Sequence, residues 1–216
     1  MRRSIAALLS ALALLVPAAA QANLLALCKA GTAEQVSEAL TAGANPNTVD
    51  QNGLSPLMYA AALNRDVGAA AALLKAGADP RATDKLGDTP LMWAAAGNAN
   101  PEIVAVLVKA GSPIEARGNN GATALMMAAW KNRNPAIVAA LLKAGAELDD
   151  RAYSGTTSLM YAAWKNPNPA VALALLRAGA DPKLRDASKK SAFDYARENE
   201  AMKGSDAYRE LEKATP

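Results

Sequence analysis

Short apolar runs alternate with polar breaks along most of this chain, and the alternation is periodic. SPLMYAA at Ser55–Ala61, TPLMWAA at Thr89–Ala95, TALMMAA at Thr123–Ala129 and TSLMYAA at Thr157–Ala163 stand 34 residues apart. Two further columns keep that offset: the pairs Gly43-Ala44, Gly77-Ala78, Gly111-Ser112, Gly145-Ala146 and Gly179-Ala180, and the single glycines Gly53, Gly87, Gly121 and Gly155. Three columns in phase describe a solenoid, whose units bury their apolar faces by stacking on their neighbours.

One unit, Asp84–Arg117, predicts its own elements. Thr89-Pro90 reads as a helix cap and first helical residue, because the hydroxyl accepts a free amide and proline has no amide to leave unpaired. Leu91, Met92, Ala94 and Ala95 form the apolar side of that short helix. Asn100-Pro101, recurring as Asn134-Pro135 and Asn168-Pro169, opens a second helix with Ile103, Val104, Leu107 and Val108 at helical spacing. Lys109 in its last turn suits the helix dipole, as do Lys75, Lys143 and Arg177 in the other units. Gly111 stops the helix in a left-handed conformation.

A turn, two antiparallel helices, a glycine stop and the T-P-L-x-x-A-A signature resemble the ankyrin repeat. The resemblance covers nearly all of the chain after residue 22 and implies an all-α fold, an ankyrin-type solenoid of stacked helix-turn-helix repeats joined by β-turn fingers. The expected organisation is a capping half repeat over 23–50, four 34-residue repeats over 51–186 and a C-terminal capping repeat over 187–216. In that last unit Ser191-Ala192-Phe193-Asp194-Tyr195-Ala196 replaces the signature, and a charged helix through Tyr208 and Leu211 closes the stack.

Two departures from the family change the picture. The family unit is about 33 residues, and the extra residue here falls in the loop between helices, as in Gly97-Asn98-Ala99-Asn100 and Lys131-Asn132-Arg133-Asn134. The signature histidine is absent, with Met58, Met92, Met126 and Met160 in its place, so deformable apolar packing is expected there. The chain has no histidine at all. No side chain then has an ordinary pKa that would change its charge between pH 5 and 8, and stability should be nearly flat over that range. A thermal midpoint moving by about 10 °C, roughly 3 kcal/mol for a chain of this size, would contradict this.

The N-terminus adds a location. Arg2 and Arg3 precede an apolar run from Ile5 to Val16, and Ala20-Gln21-Ala22 offers a small-x-small cleavage site, so residues 1–22 read as a secretory signal peptide cut after Ala22. The run is short of the roughly 20 residues that span a bilayer, and Leu27 before Cys28 argues against a lipoprotein site. Losing Arg2 and Arg3 takes the formal charge from +3 to +1, which gives no electrostatic case for nucleic acid or an anionic membrane. One cysteine permits no internal disulfide. The expectation is a periplasmic monomer with no membrane insertion after signal cleavage.

Candidate chemistry is sparse. Without histidine the commonest general base and zinc ligand is missing, and the glycines are spaced by repeat, not clustered around a phosphate. Cys28 falls in the column of Ala61, Ala95, Ala129 and Ala163 and reads as buried filler. No catalytic set, metal or cofactor is expected.

The resemblance implies a concave face made of the turn tips and the exposed side of each first helix. Tyr59, Trp93, Trp130, Tyr153, Tyr161, Trp164 and Tyr195 fall at or near it, and Phe193 and Tyr208 do not. Tyr59, Trp93, Met127, Tyr161 and Tyr195 share a column that core packing or ligand contact explains equally well. Trp130 and Trp164 stand where earlier units have Ala62 and Ala96, a substitution packing alone does not explain. Lys131 and Lys165 follow them, and Arg117, Arg151 and Arg185 end successive turns. Trp, Tyr and Arg dominate protein–protein hot spots. The expected docking set is therefore Trp93, Trp130, Lys131, Tyr153, Trp164, Lys165, Arg117, Arg151 and Arg185, facing an acidic or mixed protein surface, with the arginines standing outside what the stack needs. The function expected is non-catalytic protein binding, as inhibitor or immunity protein of a toxin or hydrolase. The alternative is an accessory scaffold that stabilises or activates an envelope enzyme; a catalyst with an unrecognised site and a purely structural element are the remaining classes.

Overall fold

The computed structural model describes residues 18–215, and the basic start and apolar run of the expected signal lie outside them. Among the described residues twelve helices follow one another in pairs: α1 (Ala18–Ala30) and α2 (Ala33–Thr41), α3 (Pro56–Leu63) and α4 (Val67–Lys75), α5 (Pro90–Gly97) and α6 (Glu102–Lys109), α7 (Ala124–Lys131) and α8 (Pro135–Lys143), α9 (Ser158–Lys165) and α10 (Pro169–Arg177), α11 (Ala192–Ala196) and α12 (Asp206–Ala214). The first helices of successive pairs pack on one another as one layer, and the second helices form another.

Most helices after α1 start at a cap the sequence supplies, but Thr123 makes no side-chain bond at the start of α7, and α6 begins at Glu102, after Pro101. Thr89 Oγ1 accepts from the Met92 amide at 3.3 Å, and Ser55, Thr157 and Ser191 repeat the bond at their own helices. The methionines do more than fill space. Met58, Met92 and Met160 lie with Sδ 3.4, 3.4 and 3.5 Å from the backbone amides of Ser55, Thr89 and Thr157, closing a capping box in which sulfur, a weak acceptor, replaces the usual carboxylate or amide. The expected apolar packing is therefore joined by a polar contact. Asn134 and Asn168 cap the second helices through the amides of Ala136 and Ala170, Asn100 takes that of Glu102, and Asp66 does the same for Gly68.

The core runs the length of the stack between the two layers. Leu57, Leu91, Leu125 and Leu159 of the first helices meet Leu73, Leu107, Leu141 and Leu175 of the second, all fully buried, with the paired alanines allowing close approach. Burial of one such leucine contributes about 2 kcal/mol. Phe193 and Tyr208 meet edge-on, centroids 5.3 Å apart, and pin α12 against α11 at the end of the stack.

A second, polar spine runs beside the apolar one. Asn98, Asn132 and Asn166 sit buried at the ends of α5, α7 and α9. Asn132 Nδ2 donates to the carbonyls of Ala95 (2.9 Å) and Asn98 (2.8 Å) in the preceding unit, and its Oδ1 accepts from the Asn134 amide (2.9 Å). Asn98 and Asn166 repeat this pattern, and Asn199 continues it to the last unit. Asn64 begins it with the Gly31 carbonyl and the Asp66 amide. The inter-helix loop therefore holds successive units together.

Candidate functional site

The site is built on the fingers between units and the first-helix side chains beneath them. Each finger is a turn with a left-handed residue near its tip: Gly53, Gly87, Gly121 and Gly155 have φ of 83, 75, 78 and 76°, and in the last finger Lys189 takes the place at 62°. Single backbone bonds link each finger to the one before, from the amides of Lys85, Asn119, Tyr153 and Ala187 to the carbonyls of Asn52, Leu86, Asn120 and Ser154.

The shared aromatic column ties fingers to helices. Tyr59 hydroxyl donates to Asp50 at 2.7 Å, Trp93 Nε1 to Asp84 at 3.0 Å and Tyr195 hydroxyl to Asp186. The other oxygen of each aspartate accepts amides two and four residues on, which shapes the turn. Hydrogen bonding to Asp50 pushes the Tyr59 phenol up to about 12 and holds the Asp50 carboxyl below the usual range; burial and Asp186 push Tyr195 to about 12. In the fourth unit Gly118 stands where the aspartate would, and the column residue is Met127, which has no donor. The column thus has a structural use, and Trp93 is committed to its own finger.

The turn arginines are likewise engaged, which corrects the expectation that they stand outside what the stack needs. Arg117 Nη1 donates to the carbonyls of Gly121 (3.1 Å) and Arg151 (2.9 Å), and Nη2 reaches both oxygens of Asp150 at 2.6 Å. Arg151 Nη1 bridges the carbonyls of Gly155 and Arg185, and Arg185 Nη1 reaches that of Lys189. Arg117 and Arg151 serve the two fingers whose aspartate is replaced, by Gly118 and Ala152. A guanidinium, with its fixed fork of donors, holds a turn and the next unit together.

What is left exposed on this face is aromatic and lysine-rich. Trp164 keeps 39 % of its surface and Tyr153, at a finger tip, 74 %. Trp130 packs partly against the core and stacks on Tyr161, centroids 6.0 Å apart, while Trp164 tilts against Tyr195 at 5.4 Å. These stackings supply part of the packing reason that sequence did not reveal. Lys131 and Lys165 hold their ammonium groups 4.6 and 4.4 Å from the centroids of Trp130 and Trp164. Trp130, Lys131, Trp164, Lys165 and Tyr153 are therefore the members of the expected set that combine accessible surface with side chains not fully used by the stack. Leu86, at the tip of the third unit's finger, is a further exposed apolar side chain.

Between the fingers of the third and fourth units lies a cleft of about 260 Å³, lined by Leu86, Asp88, Asn119, Asn120, Met127, Trp130 and Lys131. Asp88 is half-buried there, and loss of water together with the neighbouring Asp84 pushes its carboxyl above the usual range. Sequence reasoning missed Asp88. Its column otherwise reads Leu54, Ala122, Thr156 and Lys190, and that lone carboxylate was the available signal.

Among the described residues, no three His, Cys, Asp or Glu side chains gather as a metal site requires. Cys28 is fully buried, and desolvation pushes its thiol up to about 12, far from the reactive thiolate range. Among the described residues no helix is long and apolar enough to cross a membrane.

Comparison with known families accounts for the architecture. The family pattern described as Ankyrin repeats matches in three overlapping copies, over residues 24–118, 61–152 and 95–186. A search of curated proteins returns no match. Ankyrin repeat proteins are generally non-catalytic modules for protein–protein interaction. With paired helices stacked at one period and the family pattern covering most of its length, the chain belongs to the ankyrin repeat family.

Proposed function

We propose that this chain binds a protein partner through the fingers and first helices of its fourth and fifth units, in the periplasm, without catalysing a reaction. The observation that carries the reading is the exposure of Trp164 and Tyr153 and the partial exposure of Trp130, with an ammonium group over the indoles of Trp130 and Trp164. Large aromatic surface beside lysine cations suits a partner whose contact is apolar at its centre and acidic at its rim. The arginines contribute indirectly, by fixing the fingers in place. Cleavage after Ala22 would leave Leu24 and Cys28 to fill the first unit's core, where both are fully buried.

Crosslinking of the tagged chain in periplasm tests this. A specific adduct should form with the unaltered chain and disappear in Trp164→Ala and in the Trp130→Ala, Trp164→Ala double variant. Trp130 is partly in the core, so its loss lowers the melting temperature as well; Trp164→Ala should melt nearly as the parent does. An adduct that survives Trp164→Ala in full refutes the assignment. The captured partner's activity, lowered or raised by the pure chain, then distinguishes inhibitor from activating scaffold.

A further inference from the structure

The cleft between the third and fourth fingers has an unusual floor. The side-chain oxygens of Asp88 take no hydrogen bond and join no ion pair among the described residues, although its backbone amide is held by Asp84 Oδ1 at 2.9 Å. Asp88 Oδ1 lies over Gly118, where any β-carbon would come within 2.5 Å of it, so that residue's lack of a side chain leaves the carboxylate its place. Lys131, the cation lining the cleft, keeps its ammonium over the Trp130 ring and forms no ion pair with Asp88. A half-desolvated carboxylate beside the second carboxylate of Asp84, only partly offset by the Lys131 charge, raises the free energy of the folded chain, and a cation that pairs with it directly relieves it. Leu86, Met127 and Trp130 give the walls apolar surface, and Asn119 and Asn120 add polar surface. The volume falls below the roughly 300 Å³ at which small-molecule sites begin, which fits one side chain better than a free ligand.

We infer that this cleft is the anchor point for an arginine side chain of the protein partner, the guanidinium pairing with Asp88 and taking the place over the Trp130 ring that the Lys131 ammonium holds in the unbound chain. Arginine fits the combination because its planar, weakly hydrated cation both stacks on an indole and pairs through two donors with a carboxylate. The inference rests on the docking reading above and adds an anchor of opposite charge to the lysines of the fourth and fifth units. The partner it describes carries an arginine next to acidic residues.

The test uses ¹⁵N-labelled protein and the probe N-acetyl-arginine amide, with the neutral isostere N-acetyl-citrulline amide as control. The Trp130 indole signal and the Asn119 and Asn120 amides should shift saturably with arginine, with a Kd on the order of millimolar as befits one side chain. Citrulline should leave them in place. Asp88→Asn, nearly isosteric, should abolish the shifts, and an unmoved Trp164 indole signal with unchanged helical circular dichroism will show that its fold is intact. Equal response to citrulline, no saturable response, or full response in Asp88→Asn overturns the anchor. Partner capture that needs Trp164 while the cleft ignores arginine refutes the anchor alone. Arginine binding in the cleft while capture survives Trp164→Ala refutes the docking reading instead.

Discussion

Replacing Asn132 by alanine removes three hydrogen bonds from the interior of the stack. Two are donated to the carbonyls of Ala95 and Asn98 and one is accepted from the Asn134 amide, all at 2.8–2.9 Å around a side chain only 6 % exposed. A net loss of about 1 kcal/mol per bond gives about 3 kcal/mol, and more if the orphaned carbonyls stay dry. Two of the three bonds cross to the preceding unit, so the damage falls on coupling between neighbours, the quantity that makes a repeat array unfold as one. Guanidinium unfolding followed by helical circular dichroism, extrapolated to water, measures both effects. The variant should lose about 3 kcal/mol and show a broadened or two-step transition. Asn64→Ala, which removes two bonds, should cost about 2 kcal/mol on the same scale. Asn119→Ala, which loses one long, exposed bond of 3.2 Å, should cost under about 1 kcal/mol. If Asn132→Ala costs no more than Asn119→Ala, the buried ladder does not couple the units.

Other outcomes follow from single residues. Lys189 occupies the left-handed place that the other fingers give to glycine, so Lys189→Gly should stabilise by up to about 1 kcal/mol, read as a raised thermal midpoint. Cys28 should react with a thiol reagent only after unfolding; rapid modification of the native chain would show that its burial is wrong. The Asp50–Tyr59 tie contributes above the ordinary carboxylate range and is lost as pH falls through the lowered Asp50 value. At the other end it is complete below the ordinary phenol value near 10 and is lost as pH rises through about 12. Asp50→Asn should therefore bring one tyrosine ionisation back toward 10 in an alkaline absorbance titration.

The helix boundaries and the stack were legible because their causes are local. A hydroxyl before proline caps, a glycine stops, and paired alanines recur in phase, all within one unit. The asparagine ladder was written in the sequence too, at Asn64, Asn98, Asn132 and Asn166, amid neighbours that change from Arg65 to Ala99, Arg133 and Pro167. It read as loop because its acceptors are backbone carbonyls about one repeat away, and every residue carries a carbonyl. The same blindness made Arg117 and Arg151 look free, since their partners are a turn and the next unit's backbone. Trp130 and Trp164 were legible as exceptions to an alanine column, but their stacking on Tyr161 and Tyr195 depended on inter-repeat geometry. Asp88 went unnoticed because a carboxylate in a turn is ordinary until its surroundings leave it half-buried without a hydrogen bond or ion pair.

The asparagine amides have a direction. From Asn64 to Asn199 each donates backward, to carbonyls of the unit that precedes it in the chain. A unit therefore brings its own donors and completes acceptors already made, so the stack is chemically unequal at its two ends. Trimming from the C-terminus strips the donors from helix-end carbonyls fixed in the unit that remains, whereas trimming from the N-terminus frees only a side-chain amide that can turn to water. Shortened versions of this chain should tolerate loss of leading units better than loss of trailing ones. A chain emerging N-terminus first would find each unit finished only when the next arrives.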